Sequence, residues 1–365
     1  MRILHLGFED HHRPGAGGGS GRNQEVNRRL AKNHDVTVVV AAYPGCLDRV
    51  EEGVQYRHVG VGGPYTPSLL SYFACLPWVV AKASRKRSYD LIVEEFAPPC
   101  SSLGIAAWTS LPTCANVQWF FAAEKAREYR LPGWTMETVE RWGARRYTHI
   151  IALSNDLADQ IRTISPRAEI EVNGMGVAPP NLGAPIAPIP RSSVFLGRLD
   201  IEHKGLDLLL EALAVLPSGS ADLTIAGEGR GRPQIEEQVK RLNLGDQVHL
   251  VGDVRGDDKW RLLAGAQLVV MPSRRETFGL SALEAMAVGR PVLAFDIPCL
   301  RSVVTSERGE LVEPFQIGAF ADAWARLLNE PDECERLGQA GSKFALGQSW
   351  DDIAQRQGAF YERCV

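Results

Sequence analysis

No stretch of this 365-residue chain reaches the roughly 18 consecutive apolar residues that a membrane-spanning helix needs. The chain also lacks a strong excess of either charge. A net charge of −4 gives no broad basic surface and argues against nucleic acid as a partner. The seven cysteines (Cys46, Cys75, Cys100, Cys114, Cys299, Cys334 and Cys364) form no close pair. Such an unpatterned set reads as reduced cytosolic thiols and excludes a disulfide framework or a zinc-ligand motif. No Gly-x-Gly-x-x-Gly is present. Starting from Gly15 and Gly17 puts Ser20 third, and starting from Gly17 and Gly19 puts Arg22 there. The following apolar run ends Ala41-Ala42-Tyr43, without the acid that holds a ribose, so a dinucleotide dehydrogenase fits poorly. There is no solenoid repeat and no low-complexity tail. The opening Met1-Arg2-Ile3-Leu4-His5-Leu6 is too short and soon too polar for a signal peptide, so a cytoplasmic protein is expected.

What is present is an ordinary globular composition, 45% apolar and 23% charged, at a length that suits two domains. Ile3 to Gly7 reads as a strand, Phe8 to Ser20 as a glycine loop, Asn23 to Lys32 as a helix and Val36 to Ala42 as a second strand. That order opens a nucleotide-binding-type α/β domain, and Gly17, Gly18 and Gly19 allow close backbone approach to a phosphate or sugar. His11 and His12 lie in this loop, where they are either solvated or in reach of an acceptor. Two more buried strands follow. Asp90 to Val93 ends at Glu94-Glu95-Phe96, and Pro112 to Val117 ends at Gln118-Trp119-Phe120-Phe121. Trp119, Phe120, Tyr129, Trp134 and Trp142 add an aromatic bias, of which Trp119 or Phe120 is placed nearest a ligand. The nearly apolar Leu69 to Ala83, followed by Arg85-Lys86-Arg87, suits peripheral contact with a membrane surface. It equally suits a core-facing helix with a basic end, and Pro77 interrupts it. His149 to Ser154 is a further strand, and Ala178 to Pro190 holds five prolines, as an interdomain connection would.

In the second half, Ser193 to Leu196 is a strand ending Gly197-Arg198-Leu199-Asp200. Lys204-Gly205 and a helix from Leu206 to Leu216 come next. Leu223 to Ala226 ends at Gly227-Glu228-Gly229, and Val248 to Val251 at Gly252-Asp253-Val254. Leu268 to Met271 is a buried strand stopped by Pro272. Arg274, Arg275, Glu276 and Thr277 make a polar corner, and Gly279 to Val288 reads as a helix with Gly289 as its C-cap. A strand, a polar corner and a helix N-terminus together make an anion site. Glu276 and Glu284 punctuate it, and a carboxylate accepts hydrogen bonds from a vicinal diol.

Pro272 to Val292, with Glu276, Phe278-Gly279-Leu280 and Glu284, resembles the signature of the retaining family-4 (group 1) glycosyltransferases. The Gly197-Arg198-Leu199 and Lys204-Gly205 segments are also similar to that family, as are Asn173-Gly174 and the last helix from Trp350. The resemblance implies an α/β protein of the GT-B fold, two Rossmann-like doubly wound parallel-sheet domains facing a cleft. Residues 1–178 would bind the acceptor and residues 179–349 the donor, with a C-terminal helix at 350–365 packing back onto the first domain. It implies a nucleotide-sugar donor, UDP favoured, and a hexose transferred with retention. Glu276 would contact the sugar, and Arg198 and Lys204 would clamp the diphosphate. The amides of Phe278, Gly279 and Leu280 would face sugar and phosphates, and Glu284 would hold the ribose. Gly227 and Glu228 would line the diphosphate, and Val254 would lie by the base. Gly17, Gly18, Gly19 and Gln118 would meet phosphates and acceptor. Gln118 stands where many members carry a histidine, and an amide cannot serve as general base. No Asp-x-Asp occurs in the chain, so no metal and no cofactor are expected. The acceptor would be a carbohydrate, a lipid-linked or a small molecule, with polysaccharide synthesis a common setting. Alternatives of the same fold are a nucleotide-sugar hydrolase or epimerase, and a non-catalytic nucleotide-sugar-binding module.

Overall fold

Alternating apolar runs and amphipathic helices divide into two units, Met1–Met175 joined by Trp350–Val365, and Gly176–Ser349. The computed structural model describes residues 1–96, 104–118, 120 and 133–365; Trp119, Tyr129 and Cys100 lie outside the described residues.

The first unit carries β1 (Arg2–Phe8), α1 (Gly18–Leu30), β2 (Asp35–Ala41), β3 (Arg49–Glu51), β4 (Val54–Val59), α2 (Tyr65–Lys86), β5 (Leu91–Phe96), β6 (Thr113–Val117), α3 (Gly133–Ala144), β7 (His149–Ala152), α4 (Asn155–Ile164) and β8 (Glu169–Val172). The sheet order is β3-β4-β2-β1-β5-β6-β7-β8, parallel throughout except for β3, which pairs antiparallel with β4. Near-continuous apolar strands are what a sheet covered on both faces requires, and all six residues of β5 are buried. Between β4 and β7 the strand order reverses once, at β1 and β5, as in a doubly wound sheet.

The second unit carries β9 (Ser192–Leu196), α5 (Ile201–Lys204), α6 (Leu206–Val215), β10 (Asp222–Ala226), α7 (Arg232–Arg241), β11 (Val248–Gly252), α8 (Gly256–Gly265), β12 (Leu268–Met271), α9 (Leu280–Ala287), β13 (Val292–Phe295), β14 (Gly309–Val312), α10 (Ile317–Asn329) and α11 (Pro331–Leu346). Its all-parallel order, β11-β10-β9-β12-β13-β14, reverses between β9 and β12. The buried Trp324 indole on α10 donates to Ser193 Oγ at 2.7 Å, which satisfies its one polar atom inside the core.

Several expectations are corrected. Helix α1 starts at Gly18, not Asn23. The glycine run is therefore its N-cap and first turn, and Gly17 N–H donates to Glu9 Oε2 at 3.0 Å. Pro77 does not interrupt α2, which runs 22 residues through it. A proline inside a helix costs about 3 kcal/mol. Here it is exposed, while Ser68, Tyr72, Leu76, Val80 and Ala83 form a buried stripe that offsets the cost. That stripe faces the core, and no described helix is long and apolar enough to cross a membrane. The strand from Asp90 does not stop at Val93, so Glu94 and Glu95 lie inside β5. The proline-rich run packs within the second unit, where Arg290 Nη2 donates to Ile186 O at 2.7 Å and Ile189 N–H to Gly265 O at 2.9 Å. Gly289 follows the C-cap Val288 with φ of 76°.

The C-terminal helix Trp350–Cys364 is held to the first unit through a buried guanidinium. Arg22 of α1 donates to Gly174 O (3.0 Å), Asn173 O (2.9 Å) and Gln357 Oε1 (2.8 Å). Asn173 Nδ2 donates to Ile353 O at 3.0 Å.

Glu94 is fully buried, and neither carboxyl oxygen has a hydrogen-bond partner among the described residues. Burial, then the neighbouring Glu95 carboxylate, pushes its pKa well above the usual range. A raised folded-state pKa means stability is fullest below the unfolded carboxyl's pKa and is lost as pH rises through the folded value. Glu94→Met removes that loss. In urea unfolding the variant should exceed the parent by about 1–3 kcal/mol at pH 8 and by clearly less at pH 5.

Candidate active site

The reversal between β9 and β12 leaves a crevice at the carboxyl ends of these strands, the place where open α/β sheets bind ligands. Two chain segments enter it. After β9, Asp200 caps the short helix α5 by accepting from His203 N–H at 3.2 Å, and Lys204 ends that helix. After β12, Ser273 to Phe278 turn into α9. The two segments are stitched together. His203 O accepts from Arg274 N–H (2.9 Å) and Arg275 N–H (3.1 Å). The Arg274 guanidinium forks onto Asp207, both contacts at 2.7 Å, and also reaches Ile201 O at 2.8 Å. Gly205 has φ of 65°, and a Cβ there would overlap the Pro272 carbonyl oxygen. Only glycine lets the two loops lie this close.

Stitching brings Lys204 and Glu276 into contact. Lys204 Nζ donates to Glu276 Oε1 at 2.5 Å, and Ser273 Oγ donates to the same oxygen at 2.8 Å. Both side chains are mostly buried, at 16% and 9% exposure, so their attraction is weakly screened. Arg198, on the loop leaving β9, is exposed and forms no ion pair among the described residues. The strand ends on the other flank are joined by backbone. Leu199 N–H donates to Glu228 O (3.0 Å) and Gly227 N–H to Gly252 O (2.7 Å). The Glu228 side chain is exposed and pairs with Arg232 at 2.7 Å, while Val254 lies half-buried beyond β11.

Helix α9 points its N-terminus into the same crevice. Gly279 is its cap, with φ of 90°, so the first N–H groups, beginning at Leu280, have no intrahelical partner. Ser281 Oγ anchors the first turn to Leu196 O at 2.8 Å. Phe278 is buried against this corner. Glu284 is buried, and its Oε1 accepts from Lys259 of α8 at 2.6 Å. Burial raises its pKa, and Lys259 partly offsets that rise. Lys259 was not anticipated from sequence. It lies 25 residues before Glu284, in a run with no spacing signal.

In the first unit, Gly19 and Gln118 are adjacent: a Cβ on Gly19 would overlap the Gln118 amide. The Gln118 amide donates to Glu95 Oε2. The other Glu95 oxygen takes the Asn116 amide and faces His5 Nε2 at 3.0 Å. His5 Nδ1 in turn meets Asn27 of α1. This buried chain fixes Gln118, and sequence reasoning missed it because His5, Asn27, Glu95 and Asn116 sit on four separate elements. Phe120 stacks on Phe96 at 5.9 Å between centroids. Trp134 and Trp142 are exposed.

Two family models match the chain. "Glycosyl transferase 4-like domain" covers residues 17–176, and "Glycosyl transferases group 1" covers residues 186–344. A D-inositol 3-phosphate glycosyltransferase of Salinispora tropica is 28% identical, over 93% of this chain and 80% of that enzyme. The alpha-D-kanosaminyltransferase of Streptomyces kanamyceticus is 31% identical over 44% of each chain, so the match spans less than half of that relative. Among solved structures, sucrose-phosphate synthase from Thermosynechococcus elongatus superposes with a TM-score of 0.83 at 22% identity, covering 99% of this chain and 98% of that one. Anabaena HepE, solved with UDP-glucose, gives 0.78 at 18% identity, with both chains covered completely.

The closeness of the two loops is itself testable. Gly205→Ala forces a Cβ against backbone and should cost about 2–3 kcal/mol in urea unfolding. Gly183→Ala, at a glycine of positive φ with open space around it, should cost distinctly less.

Proposed function

The chain belongs to the group 1, family-4 glycosyltransferases of the GT-B fold, which take a nucleotide-sugar donor, and on that premise we propose that it moves a hexose from a UDP-sugar to a hydroxyl acceptor with retention of anomeric configuration and without a metal ion. One observation carries the reading: Lys204 and Glu276 meet at the strand reversal of the second unit, beside the N-terminus of α9. A departing nucleoside diphosphate gains negative charge as the glycosidic bond breaks, and fixed positive groups stabilise it. Arg198 supplies a planar fork and Lys204 a point charge. The dipole of α9 adds roughly 0.3–1 kcal/mol at an exposed end and up to about 2 kcal/mol when partly buried.

In this account the donor phosphates draw Lys204 away from Glu276, which then accepts from a hydroxyl of the sugar. Amides at Phe278, Gly279 and Leu280 face the sugar and phosphates. Glu284 holds the ribose diol through the oxygen that Lys259 leaves unused. Gly227 and Glu228 flank the diphosphate, with Val254 near the base. On the first unit, Gly17, Gly18, Gly19 and Gln118 meet the acceptor side. Gln118 positions a hydroxyl but takes no proton. The leaving diphosphate oxygen accepts the acceptor's proton on the same face, so the protein acts by positioning and electrostatics. UDP-glucose bound to HepE, an enzyme of the same fold, supports the choice of donor.

A thermal-shift panel of UDP-, GDP- and ADP-sugars should show the largest stabilisation with a UDP-sugar. With that donor, Glu276→Ala should lower turnover at least tenfold while nucleotide affinity changes less. Arg198→Ala should weaken both. If neither substitution slows transfer the roles are wrong. Free sugar as the sole product in the presence of varied acceptors would make the enzyme a hydrolase.

A further inference from the structure

The loop leaving β1 carries Asp10-His11-His12, and the edge strand β3 carries Arg49 and Glu51 on one face. The two imidazoles converge on one carboxylate oxygen. His11 Nε2 lies 3.4 Å and His12 Nε2 3.2 Å from Glu51 Oε1. The three donor atoms all lie within 4.8 Å of one another. Donors held tetrahedrally at about 2.0–2.2 Å from one zinc ion are about 3.3 Å apart, so two of the three edges already have the ligating length. The rings meet edge to face, 76° apart, so both nitrogens can turn toward a common point.

Groups behind the donors are arranged as around a metal. His11 Nδ1 faces Asp10 Oδ1 at 3.5 Å, the carboxylate-behind-imidazole pattern that orients ligating histidines. Asp10 is itself fixed: Arg49 donates to it at 2.7 and 2.9 Å, and His58 Nε2 lies 2.8 Å away. Arg49 Nε also holds the second oxygen of Glu51 at 2.8 Å, leaving Oε1 for the imidazoles. The His12 side chain is 50% exposed, so an ion can enter from solvent.

We propose that His11, His12 and Glu51 bind one divalent transition ion of the zinc class, with its fourth position open to water, and that the ion pins the loop after β1 to β3. Two imidazole nitrogens and one carboxylate oxygen select against magnesium and calcium, which take oxygen donors. The ion is structural. It shares no ligand with the groups assigned to sugar transfer.

The test titrates zinc into chelator-treated full-length protein by calorimetry and thermal melting, with His12→Ala and Glu51→Gln in parallel. One equivalent should bind, raising the melting temperature by about 2–6 °C. Both variants should bind at least about tenfold more weakly, while zinc-free His12→Ala melts near the parent because His12 is half-exposed. Undiminished zinc binding in His12→Ala would overturn the proposal, as would the absence of saturable binding by the parent below about 100 µM. An equal shift from magnesium would overturn the choice of ion. The readout is metal binding, so it stands or falls independently of the transfer reaction.

Discussion

The ion pair between Lys204 and Glu276 is the contact on which the second unit's arrangement turns. Neither residue could be kept mostly buried alone, because a desolvated charge without a partner is expensive. Bringing them together requires two loops from strands on either side of the order reversal to touch. Gly205, the Arg274–Asp207 fork and the shared His203 carbonyl all serve that approach. In the proposed reaction the pair exchanges partners. A diphosphate offers Lys204 a better anion than one carboxylate, and losing Lys204 turns Glu276 into a free acceptor. Binding of the leaving group and readiness of the sugar contact would then be one event.

The first unit follows the same topology with different chemistry at its reversal. Glycines open α1, and a buried chain from Asn27 through His5 and Glu95 ends on Gln118. A buried polar network of this kind fixes one geometry, where a lone glutamine would swing, although Asn116 Oδ1 has no partner among the described residues. In the proposed reaction an amide at this place orients a hydroxyl without competing for its proton. That suits a reaction in which the leaving phosphate acts as base. The edge of the same sheet carries a second polar cluster, Asp10 with Arg49, His58, His11, His12 and Glu51, built from charges that pair among themselves.

Much of this was legible in sequence because the decisive signals are local. β9 and β12 are short apolar runs stopped by glycine or proline, and Glu276 and Glu284 bracket a helix start within a few residues. What was not legible depends on distant or weakly patterned segments. β3 is polar, with its one apolar residue Val50 exposed, and gave nothing to read, while the alternation of β4 extends only from Val54 to Arg57. The sequence puts the start of α1 too late because its glycines read as loop, although a first turn tolerates them and Gly19 leaves room for the Gln118 amide. The continuity of α2 through Pro77 was settled by the buried stripe outweighing one lost hydrogen bond. Lys259 and Glu95 act through partners on other strands and helices, and only folding reveals them.

The central claim is that fixed positive charge at the strand reversal grips the diphosphate. Calorimetry on Glu276→Gln and on the double variant Lys204→Met/Glu276→Gln tests it most directly, because the lysine is then removed without orphaning a carboxylate. Each protein is titrated with the nucleoside diphosphate and the monophosphate of the preferred donor. The account predicts that the preference for diphosphate over monophosphate falls about tenfold or more when Lys204 is lost. An unchanged preference would contradict it.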